Sequence, residues 1–158
     1  MNILIYTIIL GVIATFIMDV ITWIKYYLFK TSSFDYALLG RWFLSLNNLQ
    51  FFYNNITQAT SQKYERATGW LLHYVIGVIL CFIYIQINST TTHLDSFISS
   101  IVFGFATTFI PLTIMQPILG FVFFANKTPA QWKNIKNSVI AHLNFGVGLF
   151  IAQLIMKA

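Results

Sequence analysis

A chain of 158 residues that is 58% hydrophobic, 18% aromatic and only 8% charged is far too apolar for an ordinary soluble domain, in which about a quarter of the residues carry charge. Lipid is the solvent for most of it. The formal charge of +5 lies in the connections between apolar runs and forms no continuous stripe, so no nucleic-acid partner is expected and the charge reads as topology-setting.

Residues 3–29 form the first apolar run, long enough to cross the hydrocarbon with some tilt. The run lacks a basic leader and continues past Ala14 and Asp19, so it reads as an uncleaved helix. Gly11, Thr15, Asp19 and Thr22 recur at helical spacing and define one stripe expected to face protein while the rest faces lipid.

Residues 30–65 are the longest connection, an aromatic-rich insertion (Phe34, Tyr36, Trp42, Phe43, Phe51, Phe52 and Tyr53) suited to the membrane interface. A short surface helix is expected over residues 35–49 and a plain loop over 54–62. Arg41, between Gly40 and Trp42, reads either as a headgroup anchor or as a contact for an anion or substrate. Glu65 reads as the solvated start of the next helix, with a role as acid or base left open.

The second span covers residues 67–87 and holds His73 inside the run Gly69 to Gly77; its lone Cys81 reads as a small core residue. The third, residues 94–124, carries Pro111 and Pro117, each of which removes a backbone donor, so a kink is expected there. Gln116 sits between them, where carbonyls are freed and a cavity is tolerated. Residues 135–156 are the fourth span and contain His142. The fold class is an all-α membrane protein of four transmembrane helices in a single domain, residues 1–158.

Lys30, Arg41, Lys63 and Arg66 mark the first connection and Lys127, Lys133 and Lys136 the third, whereas residues 88–95 hold no Lys or Arg. The asymmetry places the charged connections in the cytoplasm and both termini outside, with Lys157 dissenting. Gly11 to Ile17 also resembles Gly104 to Ile110, and His73 to Val78 resembles His142 to Val147, the pattern of a parallel duplication of a two-helix hairpin.

At about 1.5 Å per residue, Asp19 lies ~9 Å in from Lys25, His73 ~10 Å in from Arg66 and His142 ~9 Å in from Lys136. The expectation is one cytoplasm-facing level for all three, with Gln116 slightly deeper. Three readings follow. The groups glue helices together; or they form a pathway for protons or a polar small solute, imidazole being able to exchange protons near neutral pH; or they hold a cofactor. For the last, His73 and His142 suit a b-type haem, and the same pair with Asp19 suits a divalent metal. No phosphate loop, His-Glu-x-x-His or nucleophile elbow is present, and whether the chain is an enzyme, or pairs with a second copy, stays open.

Gly11-Val-Ile-Ala-Thr-Phe-Ile-Met-Asp19, Gly40-Arg-Trp42, Glu65 with Gly69-Trp-Leu-Leu-His-Tyr-Val-Ile-Gly77, Met115-Gln-Pro-Ile-Leu-Gly120, Asn126-Lys-Thr-Pro129 and His142-Leu-Asn-Phe-Gly-Val-Gly-Leu149 together resemble the bacterial membrane proteins grouped as domain of unknown function 2938. The resemblance spans almost the whole chain. It implies a four-helix protein of the bacterial inner membrane with no established activity, and it implies signature positions at Asp19, Arg41, Glu65, His73, Gln116 and His142.

Overall fold

The computed structural model describes residues 2–31, 33–90 and 96–157. Among the described residues the secondary structure is all helical, with four helices long and apolar enough to cross a membrane: Ile3–Phe29, Glu65–Ser89, Ser96–Ile118 and Gln131–Lys157. Helix α1 is Ile3–Phe29. The Asn2 side chain caps its start by accepting from the Leu4 amide at 3.0 Å, and it ends where Lys30 turns left-handed and its amide bonds the Tyr26 carbonyl. Helix α2, Tyr36–Ser45, is capped by Asp35, and the chain tightens into a 3-10 turn at Leu46–Asn48, within the 35–49 stretch expected to be helical.

Helix α3 is Glu65–Thr90, so Asn88 and Ser89 extend the second span rather than forming a connection; the rest of that connection, with Leu94 of the expected third span, lies outside the described residues. The third span is not one regular α-helix. Helix α4, Ser96–Thr107, gives way to a π-helical turn at Pro111–Met115 and a short α5, Gln116–Ile118. Prolines without amide hydrogens interrupt the i to i−4 ladder here, and Thr113 Oγ1 bonds the Phe109 carbonyl at 2.6 Å. The span therefore ends at Ile118 and not at residue 124: Gly120 turns with φ 86, and Phe121 to Phe124, though apolar, are not part of a spanning helix. Helix α6 is Gln131–Lys157.

The chain divides into two compact units. The first comprises Met1–Ser33, Tyr74–Thr107 and Val139–Ala158, and its buried core combines Leu10, Ala14, Cys81, Leu149 and Ala152 with the larger Tyr84 and Phe145. Thr7, Gly11, Thr15 and Met18 share the buried side of α1. Small residues let backbones approach, which is how lipid-embedded helices gain dispersion energy when no hydrophobic drive separates them from lipid. The crossing of α4 and α6 is the clearest case: a Cβ on Gly104 would lie 2.5 Å from the His142 carbonyl, and one on Gly146 2.6 Å from that of Ser100.

The second unit comprises Phe34–His73 and Thr108–Ser138. Here α2 crosses the start of α3 so closely that a Cβ on Gly40 would overlap the Glu65 carbonyl and one on Gly69 that of Tyr36. The stretch 54–62 is not a plain loop: Ile56–Gln58 is a 3-10 turn and Ile56 is fully buried. It is held because the amides of Tyr53 and Ile56 bond the Ile118 and Leu119 carbonyls at 2.9 and 3.0 Å. These carbonyls end the third span and need outside donors.

Candidate functional site: polar groups within the two units

In the second unit Gly40 brings α2 against the first turn of α3, and Arg41, the next residue, meets Glu65 there. Nε and Nη2 of Arg41 donate to Oε2 and Oε1 of Glu65 at 2.8 and 2.9 Å, a fork-to-fork pair of the strong kind. Nη1 donates to the carbonyls of Ile56 and Ala59, both at 2.9 Å. The guanidinium is buried, with 11% of the side chain exposed, and the hydrogen bond to Glu65 holds it above its ordinary pKa. Arg41 therefore neither snorkels to a headgroup nor presents itself to a free anion, and Glu65 is not simply a solvated helix start. Glu65 Oε2 also accepts from the Gln62 amide at 2.8 Å. Gln62 Nε2 donates to Ser45 Oγ at 2.8 Å, and Ser45 Oγ bonds both the Arg41 carbonyl and the Tyr53 hydroxyl. The network closes the insertion on itself.

His73 lies in the same unit, stacked on Tyr36 with ring centroids 4.1 Å apart and an interplanar angle of 24°. Trp70 meets both rings edge-on, at 5.8 Å from His73 and 4.8 Å from Tyr36. Gln116, also in this unit, is buried with its Oε1 lacking a protein partner, and Thr108 Oγ1 is in the same condition.

Asp19 and His142 fall in the first unit. Asp19 is hydrogen-bonded to the Tyr74 side chain. His142 Nδ1 lies 2.8 Å from Thr107 Oγ1, and the Thr107 hydroxyl also bonds the Gly104 carbonyl at 2.8 Å. A hydroxyl has one proton, so when Thr107 gives it to Gly104 the imidazole must donate from Nδ1. Thr22 Oγ1 and Asn144 Nδ2 in this unit are buried without a protein partner.

The six expected residues are thus divided: Arg41 and Glu65 are brought together, His73 and Gln116 share their unit, and Asp19 and His142 belong to the other. Among the described residues no group of three His, Cys, Asp or Glu side chains is gathered to hold a metal ion. One polar cluster escaped the sequence reading. Gln153, Tyr84 and Ser100 are all buried in the first unit, and Gln153 Nε2 donates to Tyr84 Oη at 3.2 Å and to Ser100 Oγ at 3.1 Å. The rule that flagged His and Asp inside apolar runs applies equally to a Gln and a Ser there.

The family model described as "Protein of unknown function (DUF2938)" matches residues 8–156. The chain belongs to this family. Among curated proteins and among solved structures, nothing matches the chain. Membership of a family of unknown function leaves the activity to be argued from the groups described above.

Proposed function

We propose that this family member passes protons or a polar small solute across the bacterial inner membrane, its charged connections facing the cytoplasm. One observation carries the reading: Gln116 Oε1 and Thr108 Oγ1, at the irregular end of the third span, are buried without a partner among the described residues. Such a group costs about 1–3 kcal/mol when nothing meets it, and hydrocarbon offers no hydrogen bond. Water or a polar solute at these atoms removes that cost, and irregular backbone at membrane depth belongs with a wet cavity.

Asp19 with Tyr74 and His142 with Thr107 are acid or base groups hydrogen-bonded to hydroxyls, pairs that can extend a hydrogen-bonded chain to water or a polar solute. His73 supplies the third exchangeable group, its ring fixed by the stack on Tyr36. Arg41 and Glu65 play a different part in this reading, holding the insertion that supplies donors to the end of the third span. Cysteine accessibility tests the proposal. In a Cys81→Ala background, Gln116→Cys should react with a charged, water-borne methanethiosulfonate reagent at a rate near that of an exposed control at Lys63→Cys. Labelling no faster than for a cysteine at the buried Leu149 would contradict a wet site.

A further inference from the structure

The first unit carries an open groove of about 230 Å³ whose walls include Tyr6 and Leu10 of α1, Tyr84, Ile85 and Asn88 of α3, and Gln153 of α6. Among the described residues, no charged side chain lines it. Its polar floor is deeply buried, with Tyr84 3% and Gln153 7% exposed. That floor is also asymmetric in its hydrogen bonding. All three bonds of the Gln153 side chain run through Nε2, to Tyr84 Oη, Ser100 Oγ and the Leu149 carbonyl at 3.2, 3.1 and 3.1 Å, and among the described residues none reaches Oε1.

The hydroxyls of Ser99 and Ser100 donate to the Ser96 carbonyl at 3.2 and 2.7 Å. Each has no second proton, so at its contacts with Tyr84 Oη, 3.0 and 2.9 Å, it is the acceptor, and the two serines share the single proton of Tyr84. The donors of the floor are therefore spent inside the protein, and what remains unmet is an acceptor, the Gln153 carboxamide oxygen. An acceptor on a buried side chain, flanked by the apolar surfaces of Leu10 and Ile85 and, among the described residues, by no charge, selects for an uncharged molecule carrying an N–H or O–H.

We propose that this groove is a binding site for a small neutral hydrogen-bond donor of the primary amide or alcohol class, with Gln153 Oε1 as its acceptor. The site stands on the groove's own geometry and does not require that anything crosses the membrane. Saturation-transfer NMR on the full chain in lipid nanodiscs tests it, with empty nanodiscs as blank and acetamide, N,N-dimethylacetamide and acetate as probes. Acetamide should bind about fivefold more tightly than N,N-dimethylacetamide, which has no N–H, the ratio expected for one net hydrogen bond. Acetate should fail to bind. Gln153→Met, which keeps the volume and removes the amide, and Ser89→Trp, which fills the groove from an exposed lining position, should each reduce the acetamide signal to the blank. If Gln153→Met does not fold, Ser89→Trp decides alone. Equal binding of the two amides, binding of acetate as tight as that of acetamide, a signal indifferent to Ser89→Trp, or no acetamide signal above the blank each overturns the proposal.

Discussion

Removing the carboxylate of Glu65 by Glu65→Ala strands a guanidinium that is 11% exposed, with the two carbonyls of Ile56 and Ala59 as its remaining partners. Breaking a buried, hydrogen-bonded charge pair from one side costs about 3–5 kcal/mol, and the slight exposure of this pair argues for the lower end. The loss should be local, because the guanidinium of Arg41 ties α2, the carbonyls of Ile56 and Ala59 and the first turn of α3 together. At about 3 kcal/mol the open population of the insertion rises ~150-fold, 1.4 kcal/mol being a factor of ten. Native-state trypsin cleavage at the exposed Lys63 reads that population directly when opening and closing are fast. Arg41→Ala should accelerate cleavage comparably, and the double variant Arg41→Met with Glu65→Met should fall well below the sum of the singles, since a buried pair replaced by apolar groups leaves no charge stranded. Cleavage within about threefold of the parent in both single variants would refute the idea that this pair holds the insertion.

Three further outcomes follow from the packing. Gly69→Ala puts a methyl group into the Tyr36 carbonyl and should cost about 2 kcal/mol, seen as a melting temperature lower by roughly 4–8 °C. Val122 is a β-branched residue held at φ 62, ψ 171, a region natural mainly to glycine; Val122→Gly should therefore raise the melting temperature, and a fall would show that the Val122 side chain contributes more than the strain costs. Thr107→Val removes the partner of His142 Nδ1 and should destabilise by about 1 kcal/mol while shifting the His142 ring nitrogen resonances, whereas Thr107→Ser should preserve both.

Much of the architecture was legible because the bilayer imposes it. The first apolar run, residues 3–29, coincides with α1, whereas the second and fourth runs are shorter than α3 and α6, since polar Gln131 and Asn134 at one end of α6 and Asn88 at the end of α3 do not look like span yet continue its helix. The third was drawn long for the opposite reason: Phe121 to Phe124 are as apolar as a span, and hydropathy cannot tell helix from the turns that follow Gly120. Within the expected site, local pattern located Asp19, His73, Gln116 and His142 as polar groups in apolar runs. It could not pair Arg41 with Glu65, 24 residues away, because that meeting depends on Gly40 and Gly69 allowing two helices to touch. Nor does any periodicity encode the stacking of His73 on Tyr36, which arises from the same crossing.

If water or solute meets Gln116 Oε1 and its neighbours inside the membrane, the deciding measurement is flux. Liposomes loaded with a pH-sensitive dye and reconstituted with the protein should acidify under an imposed proton gradient or swell in a gradient of a small neutral solute faster than empty ones. Gln116→Leu, which keeps the shape but removes the carboxamide, should cut that rate about tenfold or more while leaving the melting temperature at or above that of the parent. Flux no greater than in empty liposomes for both processes, or flux unchanged by Gln116→Leu together with Asp19→Asn and His142→Gln, would contradict a conducting role and leave these groups as the bonds that hold the helices together.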